Sequence, residues 1–377
     1  MSESNRIPAG TRGTATIGGG EEVDVAVVHN KSNGLDADGG MLAGGTGDPA
    51  FAQVARFMYA PAIYSNIYNC NSVIQVRATL ISASLAFTFR GRAGYPDGAW
   101  SASIPSNGRV DVSPSVVFGS TPWVGAVEIH TVPTAAPLAA SVLDVYTDGR
   151  TRTANAAGDG AATLYAAALY RAAYNTTSGI VVQNIGLTPT GVEVRFYDRS
   201  GVWRTTYLLN NGASLDGQRA AGVNIAAVPG LYDGWMGAAR IVSTNGQPLA
   251  AIATGSQPDA GVFAYNAAST ATRTVVLPRG AKNAADRTTS YLIQNTNPGG
   301  WLHVIARYYD AGGNVSGTPM TYDLAPYASV GRNQSADMQL PDGWTGSIVL
   351  EADGPWMVAI SREKSANSIS AASGMAR

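Results

Sequence analysis

The chain has 377 residues with a formal net charge of −1, and only 14% of its residues are charged. This near-neutral balance leaves no basic stripe of the kind that binds nucleic acid or acidic membranes. The single cysteine, Cys70, excludes an intramolecular disulfide framework, and no apolar run approaches the roughly 18 residues of a membrane span. We therefore expect a protein that neither spans a membrane nor binds nucleic acid.

The low charge also bears on association. The charged share lies far below the usual value of about 25%, and the rest of the polar residues are mainly Ser, Thr, Asn and Gly. Such a surface is less protected against self-association than a heavily charged one. Two interpretations stay open: the surface is merely low in charge, or neighbouring copies of the chain cover much of it.

Residues 1–55 are predicted to form an N-terminal arm. Residues 1–20 are polar and contain no apolar stretch of the length that an export signal requires. Val23, Val25 and Val27 alternate with other residues, which predicts one strand over about residues 21–30. An isolated strand needs a partner edge. It pairs either with the first repeat of its own chain or, by strand donation, with a neighbouring chain.

A short helix is predicted next, over about residues 49–58. Asp48 suits the N-cap position, and Pro49 suits the first helical position. Phe51, Val54 and Met58 would lie near one face of this helix. The helix would link the arm to the rest of the chain.

Behind the arm, one unit of about 110 residues occurs three times. Four residues of the first copy recur 106 residues later: Tyr59, Tyr64, Tyr68 and Asn69 match Tyr165, Tyr170, Tyr174 and Asn175. Gln183-Asn184 of the second copy matches Gln294-Asn295 of the third, whereas the first copy has Arg77-Ala78. We predict domains over residues 56–155, 156–270 and 271–377, with linkers at Thr151–Ala162 and Ala267–Arg273.

Within each copy the apolar pattern has a period of two. Val192, Val194 and Phe196 alternate with polar or half-polar residues, as a half-buried strand requires. Glycine- and asparagine-rich turns separate such runs. About seven short strands per copy predict an all-β chain of three tandem antiparallel β-sandwiches of the immunoglobulin-like type.

Two sets of aromatic residues recur in register. The tyrosines at positions 59, 64, 68, 165, 170 and 174 are predicted to pack within or between domains, with the alternative that they form a platform for sugars. Near the end of each copy, a tryptophan is followed two residues later by glycine: Trp123, Trp235 and Trp344. We expect each tryptophan to cover an end of its sandwich, where the glycine allows a close strand approach.

This order of markers resembles the tandem immunoglobulin-like β-sandwich repeats of bacterial secreted and surface proteins. The resemblance covers roughly residues 56–370 and rests on the Gln-Asn strand, the Tyr-Asp turn, the Trp-x-Gly signature and the Pro-Leu-Ala-Ala run. It implies an extracellular or cell-surface location. Such modules serve as spacers, adhesion units and assembly units alike, so the resemblance does not choose among these functions.

The sequence contains no catalytic signature. His29, His130 and His303 do not stand at metal-ligand spacing, and no Gly-x-Ser-x-Gly elbow occurs. We expect no catalytic residue, no metal and no cofactor. The leading hypothesis is a non-enzymatic structural protein that assembles with itself into an extracellular filament, sheath or surface lattice, with the N-terminal strand as a donated element. The alternative is an adhesion module that binds a cell-surface glycan or a protein partner.

Overall fold

The computed structural model describes residues 26–28, 40–42, 57–78, 82–106, 108–132, 138–258, 261–365 and 369–376. Within these ranges the chain is mostly β, which confirms the all-β prediction. All strand pairings among these residues are antiparallel. No helix in the described part of the chain is long and apolar enough to cross a membrane.

The described part of the N-terminal arm is a pair of strands. Strand β1 (Ala26–Val28) pairs with β2 (Gly40–Leu42), and Val27 lies opposite Met41. A strand therefore lies within the predicted range of residues 21–30, at Ala26–Val28, but the prediction that it is the single strand of the arm was wrong, because the next segment of the chain supplies its partner edge. Val23 and Val25 lie outside the described residues.

The first unit contains strands β3 to β10 and one short helix. Their bounds are β3 Phe57–Ser65, β4 Cys70–Ala78, β5 Ala83–Gly91, β6 Gly98–Ile104, β7 Arg109–Val112, α1 Ser115–Phe118, β8 Trp123–Val132, β9 Leu138–Tyr146 and β10 Thr151–Asn155. The front sheet has the order β3-β8-β5-β6, and the back sheet has the order β10-β9-β4-β7. Side chains from both sheets enclose one hydrophobic core, which includes Met58, Ile74 and Phe87.

Two predictions for this unit need correction. The helix predicted over residues 49–58 is wrong at Phe57 and Met58, which begin β3, because Met58 pairs with Ile129 of β8 and fills the core. Residues 49–56 lie outside the described residues. The linker predicted to start at Thr151 is wrong up to Asn155, since this polar segment forms the edge strand β10 and pairs with β9.

The second unit repeats this arrangement. Its bounds are β11 Thr163–Arg171, β12 Thr177–Asn184, β13 Val192–Asp198, β14 Trp203–Leu208, β15 Ala220–Asn224, β16 Trp235–Ser243, β17 Leu249–Gln257 and β18 Gly261–Asn266, with 3₁₀ turns at Leu209–Gly212 and Ile225–Ala227. The front sheet is β11-β16-β13-β14, and the back sheet is β15-β12-β17-β18. Leu164–Tyr174 is thus strand and turn, as its alignment with the first copy predicts.

The third unit has the same order with one added strand. Its bounds are β19 Thr274–Ala281, β20 Thr288–Asn295, β21 Leu302–Asp310, β22 Met320–Leu324, β23 Ser329–Asn333, β24 Thr345–Ala352, β25 Met357–Lys364, β26 Ile369–Ser373 and β27 Met375–Ala376, with a 3₁₀ turn at Gln334–Ala336. The front sheet is β22-β21-β24-β19-β27, and the back sheet is β23-β20-β25-β26.

The same hydrogen bond from the first strand recurs at the equivalent position in all three units, which aligns the three copies residue by residue. The hydroxyls of Ser72, Ser178 and Thr289 accept from the backbone N–H groups of Tyr64, Tyr170 and Ala281, at 2.9, 3.0 and 3.0 Å. The first strand bulges just before this point in every unit. The buried hydroxyl therefore satisfies a backbone donor that the irregular strand leaves without a ladder partner.

The recurrent asparagine of the second and third units holds a loop. Asn295 has no exposed surface, and its Nδ2 donates to the carbonyls of Gly300, Leu324 and Ala325 at 2.9, 3.0 and 3.0 Å. Asn184 makes equivalent bonds to two carbonyls in the second unit. The first unit has Ala78 at this place and lacks the anchor, as its departure from the Gln-Asn pair indicates.

Three hydrophobic cores draw their side chains mainly from residues 58–156, 164–267 and 275–359. The second core also takes in four side chains of the third unit, Leu292, Ile360, Ile369 and Ala371. The units therefore share buried apolar surface. Whether each one folds alone as a domain stays a prediction.

Candidate assembly interface

The same two surfaces meet at both boundaries between units. One is the outward side of a front sheet, which we call the donor face, and the other is the outward side of the next unit's back sheet, which we call the receiver face. At the first boundary six residues form one buried apolar cluster: Ala62 and Ala126 from the donor face, with Val181, Ala220, Ile252 and Ala264 from the receiver face. Burying such a valine or isoleucine contributes roughly 1.5–3 kcal/mol.

Polar side chains surround this cluster in the first joint. The guanidinium of Arg90 donates from Nε and Nη2 to Oε1 of Gln218, at 3.2 and 2.8 Å. Nε2 of Gln218 in turn donates to Oε2 of Glu128 at 2.6 Å. Nη1 of Arg219 donates to the carbonyl of Gly91 at 2.5 Å. One amide side chain of the receiver thus bridges a cation and an anion of the donor, which makes the contact specific as well as apolar.

Asp97 completes the first joint. Its carboxylate accepts from Arg90 and Arg219, both at 3.1 Å, and from the backbone N–H of Gly91 at 3.0 Å. Partial burial acts to raise the pKa of Asp97, but the hydrogen bonds and the two guanidinium groups outweigh it and hold the pKa below its usual value. Asp97 is therefore ionised, and paired across the joint, at neutral pH.

The second joint uses different side chains at the same positions. The rings of Tyr197 and Tyr327 stack with centroids 4.4 Å apart and planes 24° apart. Tyr197 occupies in the second unit the place of Arg90, and Tyr327 occupies in the third unit the place of Gln218. Both receiver residues adopt left-handed backbone conformations, with φ of 64° at Gln218 and 60° at Tyr327. Such a conformation costs of order 1–3 kcal/mol outside glycine, so the surrounding contacts must hold it.

Three further contacts close the second joint. The backbone N–H of Ser329 donates to the carbonyl of Arg199 at 3.1 Å. The guanidinium carbon of Arg362 lies 5.3 Å from the ring centroid of Tyr170 and 5.8 Å from that of Phe263. Cation–π contacts of this kind contribute about 1–2 kcal/mol where the cation is partly desolvated.

The sequence-predicted tyrosines divide by depth. Tyr170 is buried, and Tyr59, Tyr64 and Tyr165 are half-buried. Tyr68 and Tyr174 are 66% and 69% exposed, and each stands in a left-handed conformation at the tip of the turn after the first strand. The third unit carries Ala285 at this tip, also with a positive φ of 47°.

The three signature tryptophans lie in the cores. Trp123 and Trp235 have no exposed surface, and Trp344 is 6% exposed. The glycine two residues on packs against the carbonyl of a neighbouring strand in each unit, at Arg90, Tyr197 and Tyr309. A Cβ atom at any of these glycines would collide with that carbonyl and with the tryptophan ring.

Buried polar groups inside the first unit form a structural cluster. Asp144 accepts from Oγ of Ser72 at 2.5 Å and from Nε of Arg152 at 2.7 Å. Cys70 lies beside them, and burial together with the nearby Asp144 raises the pKa of its thiol to about 12. The thiol is therefore protonated at neutral pH, which is the opposite of what a nucleophilic cysteine requires.

Metal-binding groups do not gather in the described part of the chain: no group of three or more His, Cys, Asp or Glu residues stands close enough to hold an ion. His29 lies outside the described residues, and His130 and His303 belong to different units. His303 lies at hydrogen-bond distance from Asp323, 2.8 Å, on the exposed side of the third front sheet. His130 lies near Glu128 at 3.3 Å.

The joint residues are the candidate functional positions that sequence reasoning missed. Arg90 and Gln218 belong to different copies of the repeat, and the equivalent pair, Tyr197 and Tyr327, shares neither residue type. Recurrence therefore marks only one of the four, Tyr197, which with Asp198 recurs as Tyr309-Asp310 in the third copy. Only their place in the strands could have indicated the donor residues: Arg90 and Tyr197 are the next-to-last residues of β5 and β13.

No family model matches the sequence, and no curated protein matches it. Among solved structures, the chain is similar to Thermotoga maritima 1070, at 14% identity over 28% of this chain and 96% of that one, with a TM-score of 0.25. It is also similar to a tetra-tandem repeat from the extending region of a large adhesion protein, at 15% identity over 78% of this chain and 67% of that one, with a TM-score of 0.15.

A third similarity is to dimeric latent PorU from Porphyromonas gingivalis, at 11% identity over 90% of this chain and 35% of that one, with a TM-score of 0.17. At these scores the likenesses do not define the fold or the function. A tandem-repeat adhesion protein is nevertheless among the structural neighbours of this all-β chain.

Proposed function

We propose that the chain is a non-enzymatic structural protein of an extracellular filament, sheath or surface lattice. Its three units, each an immunoglobulin-like β-sandwich, form one stiff stack from which the assembly is built. The observation that carries this proposal is the joint, built twice at equivalent positions with different side chains. A chain of independent binding modules has no need of such joints, whereas a rigid building block does.

The exposed edges of the front sheets are suitable for contact between copies. In the second unit, β14 is an edge strand with Trp203 and Leu208 exposed at 59% and 53%. An edge strand presents unpaired N–H and C=O groups to any strand that approaches. The two-stranded arm, β1 and β2, is an element of the right kind for donation, because a two-stranded hairpin is marginally stable by itself.

Light scattering coupled to gel filtration, with negative-stain imaging of the intact chain, tests this proposal. The proposal predicts large particles of regular shape whose mass is a multiple of 38.9 kDa. A chain that remains a monomer at every concentration up to the millimolar range would rule out self-assembly.

A second candidate function is adhesion through aromatic side chains. Tyr68 and Tyr174 favour it, because they project from equivalent turn tips in a backbone conformation that tyrosine rarely adopts. Aromatic faces of this kind can stack on sugar rings. Adhesion predicts retention of the intact chain on an immobilised polysaccharide, loss of retention in Tyr68→Ala and Tyr174→Ala, and no change in particle mass.

A further inference from the structure

The three receiver faces can be compared row by row, because strand pairing fixes which side chains stand side by side. In the second unit the central row is Gly222, Val181 and Ile252. In the third unit it is Gly331, Leu292 and Ile360. Both rows combine one glycine with two branched apolar residues, and both apolar pairs are buried by the preceding unit.

The first unit breaks this pattern. Its central row is Asp111, Gln75 and Ser141, of which Asp111 is exposed, Gln75 is half-buried and Ser141 is already buried. The next row carries Arg77 and Arg109, where the second unit has Gln183 and Ala220 and the third has Gln294 and Ser329. To bury this face under a donor face would desolvate a carboxylate and two guanidinium groups with no apolar gain to offset the cost. Terminal repeats of stacked proteins characteristically have such polar outer faces.

The donor face of the third unit keeps the features of the two that are docked. Tyr309 stands at the position of Tyr197 and pairs with Ser347, where the second unit has the fully buried Ala238. Beside them, Val349 stands where the other two units have Glu128 and Arg240. The same face also carries Arg307 and Glu351, which form an ion pair with each other.

The turn of the third donor face is also open. In the second unit, a Cβ atom at Gly201 would collide with the carbonyl of Pro326 in the third unit. The equivalent Gly313 has the same left-handed backbone, with φ of 81°, and no atom lies within 4 Å of its Cβ position. Gly94 of the docked first unit is equally clear, so the close glycine contact is a feature of the second joint alone. Tyr309, Ser347 and Val349 are only half-buried.

We infer that the two ends of the stack are not equivalent. The donor face of the third unit is a docking surface for a further β-sandwich whose receiver face carries the glycine and branched-apolar row. The polar receiver face of the first unit prevents a second copy of this chain from occupying that surface. This inference rests on the proposed structural function and adds the direction in which the stack extends and the chemistry of the partner.

The test converts the first receiver face to the type found in the third unit. The uncapped variant is the full chain with four substitutions: Gln75→Leu, Arg77→Gln, Asp111→Gly and Ser141→Ile. Two cysteines then report the end-to-end contact, Ala311→Cys on the donor turn and Arg109→Cys on the receiver face. They stand at the positions of Arg199 and Ser329, whose carbonyl and N–H are 3.1 Å apart in the second joint. Residues so placed lie within the Cα separation that a disulfide needs.

Under mild oxidation the uncapped cysteine variant is expected to form a ladder of disulfide-linked multimers extending beyond the dimer. The same cysteine pair without the four uncapping substitutions should give at least tenfold less multimer. Adding Ser347→Glu to the uncapped variant, at the position of the fully buried Ala126 and Ala238 of the docked faces, should suppress the ladder to that level. Circular dichroism of each variant verifies that the β structure is retained.

Three outcomes would overturn the inference: no ladder from the folded uncapped variant, an equal ladder without uncapping, or a ladder that Ser347→Glu leaves unchanged. Failure of the proposed function has a different signature, because that function is judged from the particle mass of the unmodified chain. A chain that assembles through its edges but gives no ladder keeps the structural function and loses the end-docking inference.

Discussion

Removal of the Asn295 side chain should destabilise the third unit selectively. Asn295 is fully buried, and its Nδ2 is within hydrogen-bond distance of the carbonyls of Gly300, Leu324 and Ala325. Its Oδ1 accepts from the backbone N–H of Asn297 at 2.9 Å. Asn295→Ala removes the amide from these four backbone groups, of which the carbonyl of Ala325 keeps the N–H of Ala328 as a donor at 3.0 Å, so at most three groups lose their partner. A buried unsatisfied group costs about 1–3 kcal/mol, and relaxation recovers part of this, so the expected loss is about 3 kcal/mol.

Hydrogen exchange followed by mass spectrometry is the appropriate assay, because a chain of three docked units need not unfold in one step. A loss of about 3 kcal/mol raises the exchange rates of the third-unit core by about 150-fold. Thr321→Ala, an exposed substitution on β22, is the matched control and should change these rates by less than about twofold. An Asn295→Ala protein with unchanged exchange in β20 and β21 would refute the argument that this amide anchors the loop.

Three other perturbations follow from the same structure. Cys70, with its burial and a thiol pKa of about 12, should not react with a disulfide reagent at pH 8 until the chain is denatured. The pKa of Asp97 is lower in the folded protein than in the unfolded chain, where it is about 3.9. The ion pairs of Asp97 therefore stabilise the fold fully at pH values above the unfolded pKa, and this stabilisation is lost as the pH falls through the folded pKa. Asp97→Asn should lower the urea midpoint at pH 7 and leave it unchanged near pH 2. Tyr197→Ala removes the ring stacked on Tyr327 and should speed exchange of the Ser329 amide, which donates across the second joint.

Each of these has a contrary result. Rapid labelling of the native thiol would show that the first core opens readily. An equal effect of Asp97→Asn at pH 7 and pH 2 would show that the carboxylate charge plays no part in the first joint. Unchanged Ser329 exchange in Tyr197→Ala would show that the two tyrosines are neighbours without stabilising each other.

Periodicity and repeat markers predicted the all-β class and the register of the copies. A recurring hydrogen bond gives that register a physical basis. In each copy the backbone N–H of one residue (Tyr64, Tyr170 or Ala281) donates to a buried hydroxyl (Ser72, Ser178 or Thr289). Arg77-Ala78 stood out as a departure in the sequence. The structure gives the departure a location, since Arg77 lies on the receiver face of the first unit and Ala78 lacks the loop anchor of the other copies.

Other features could not be read from local pattern. The segment Thr151–Asn155 reads as a linker because it is polar, yet Arg152 is buried and paired with Asp144 at 2.7 Å. The partner of such a residue, and not its own hydropathy, decides where it lies. Left-handed backbone at Gln218 and Tyr327 is equally invisible, because neither residue type favours it. These conformations depend on contacts with a unit more than a hundred residues earlier in the chain.

We propose that one joint, built twice, holds the three units in a stiff stack. Pulsed electron resonance between spin labels on the equivalent turn tips tests it directly, with labels at Tyr68→Cys and Tyr174→Cys in one sample and at Tyr174→Cys and Ala285→Cys in another. Native Cys70 is 2% exposed and should remain unlabelled. We predict a single narrow distance distribution in each sample, with similar mean distances. Broad distributions, or two unrelated means, would contradict the claim and leave a chain of loosely connected units.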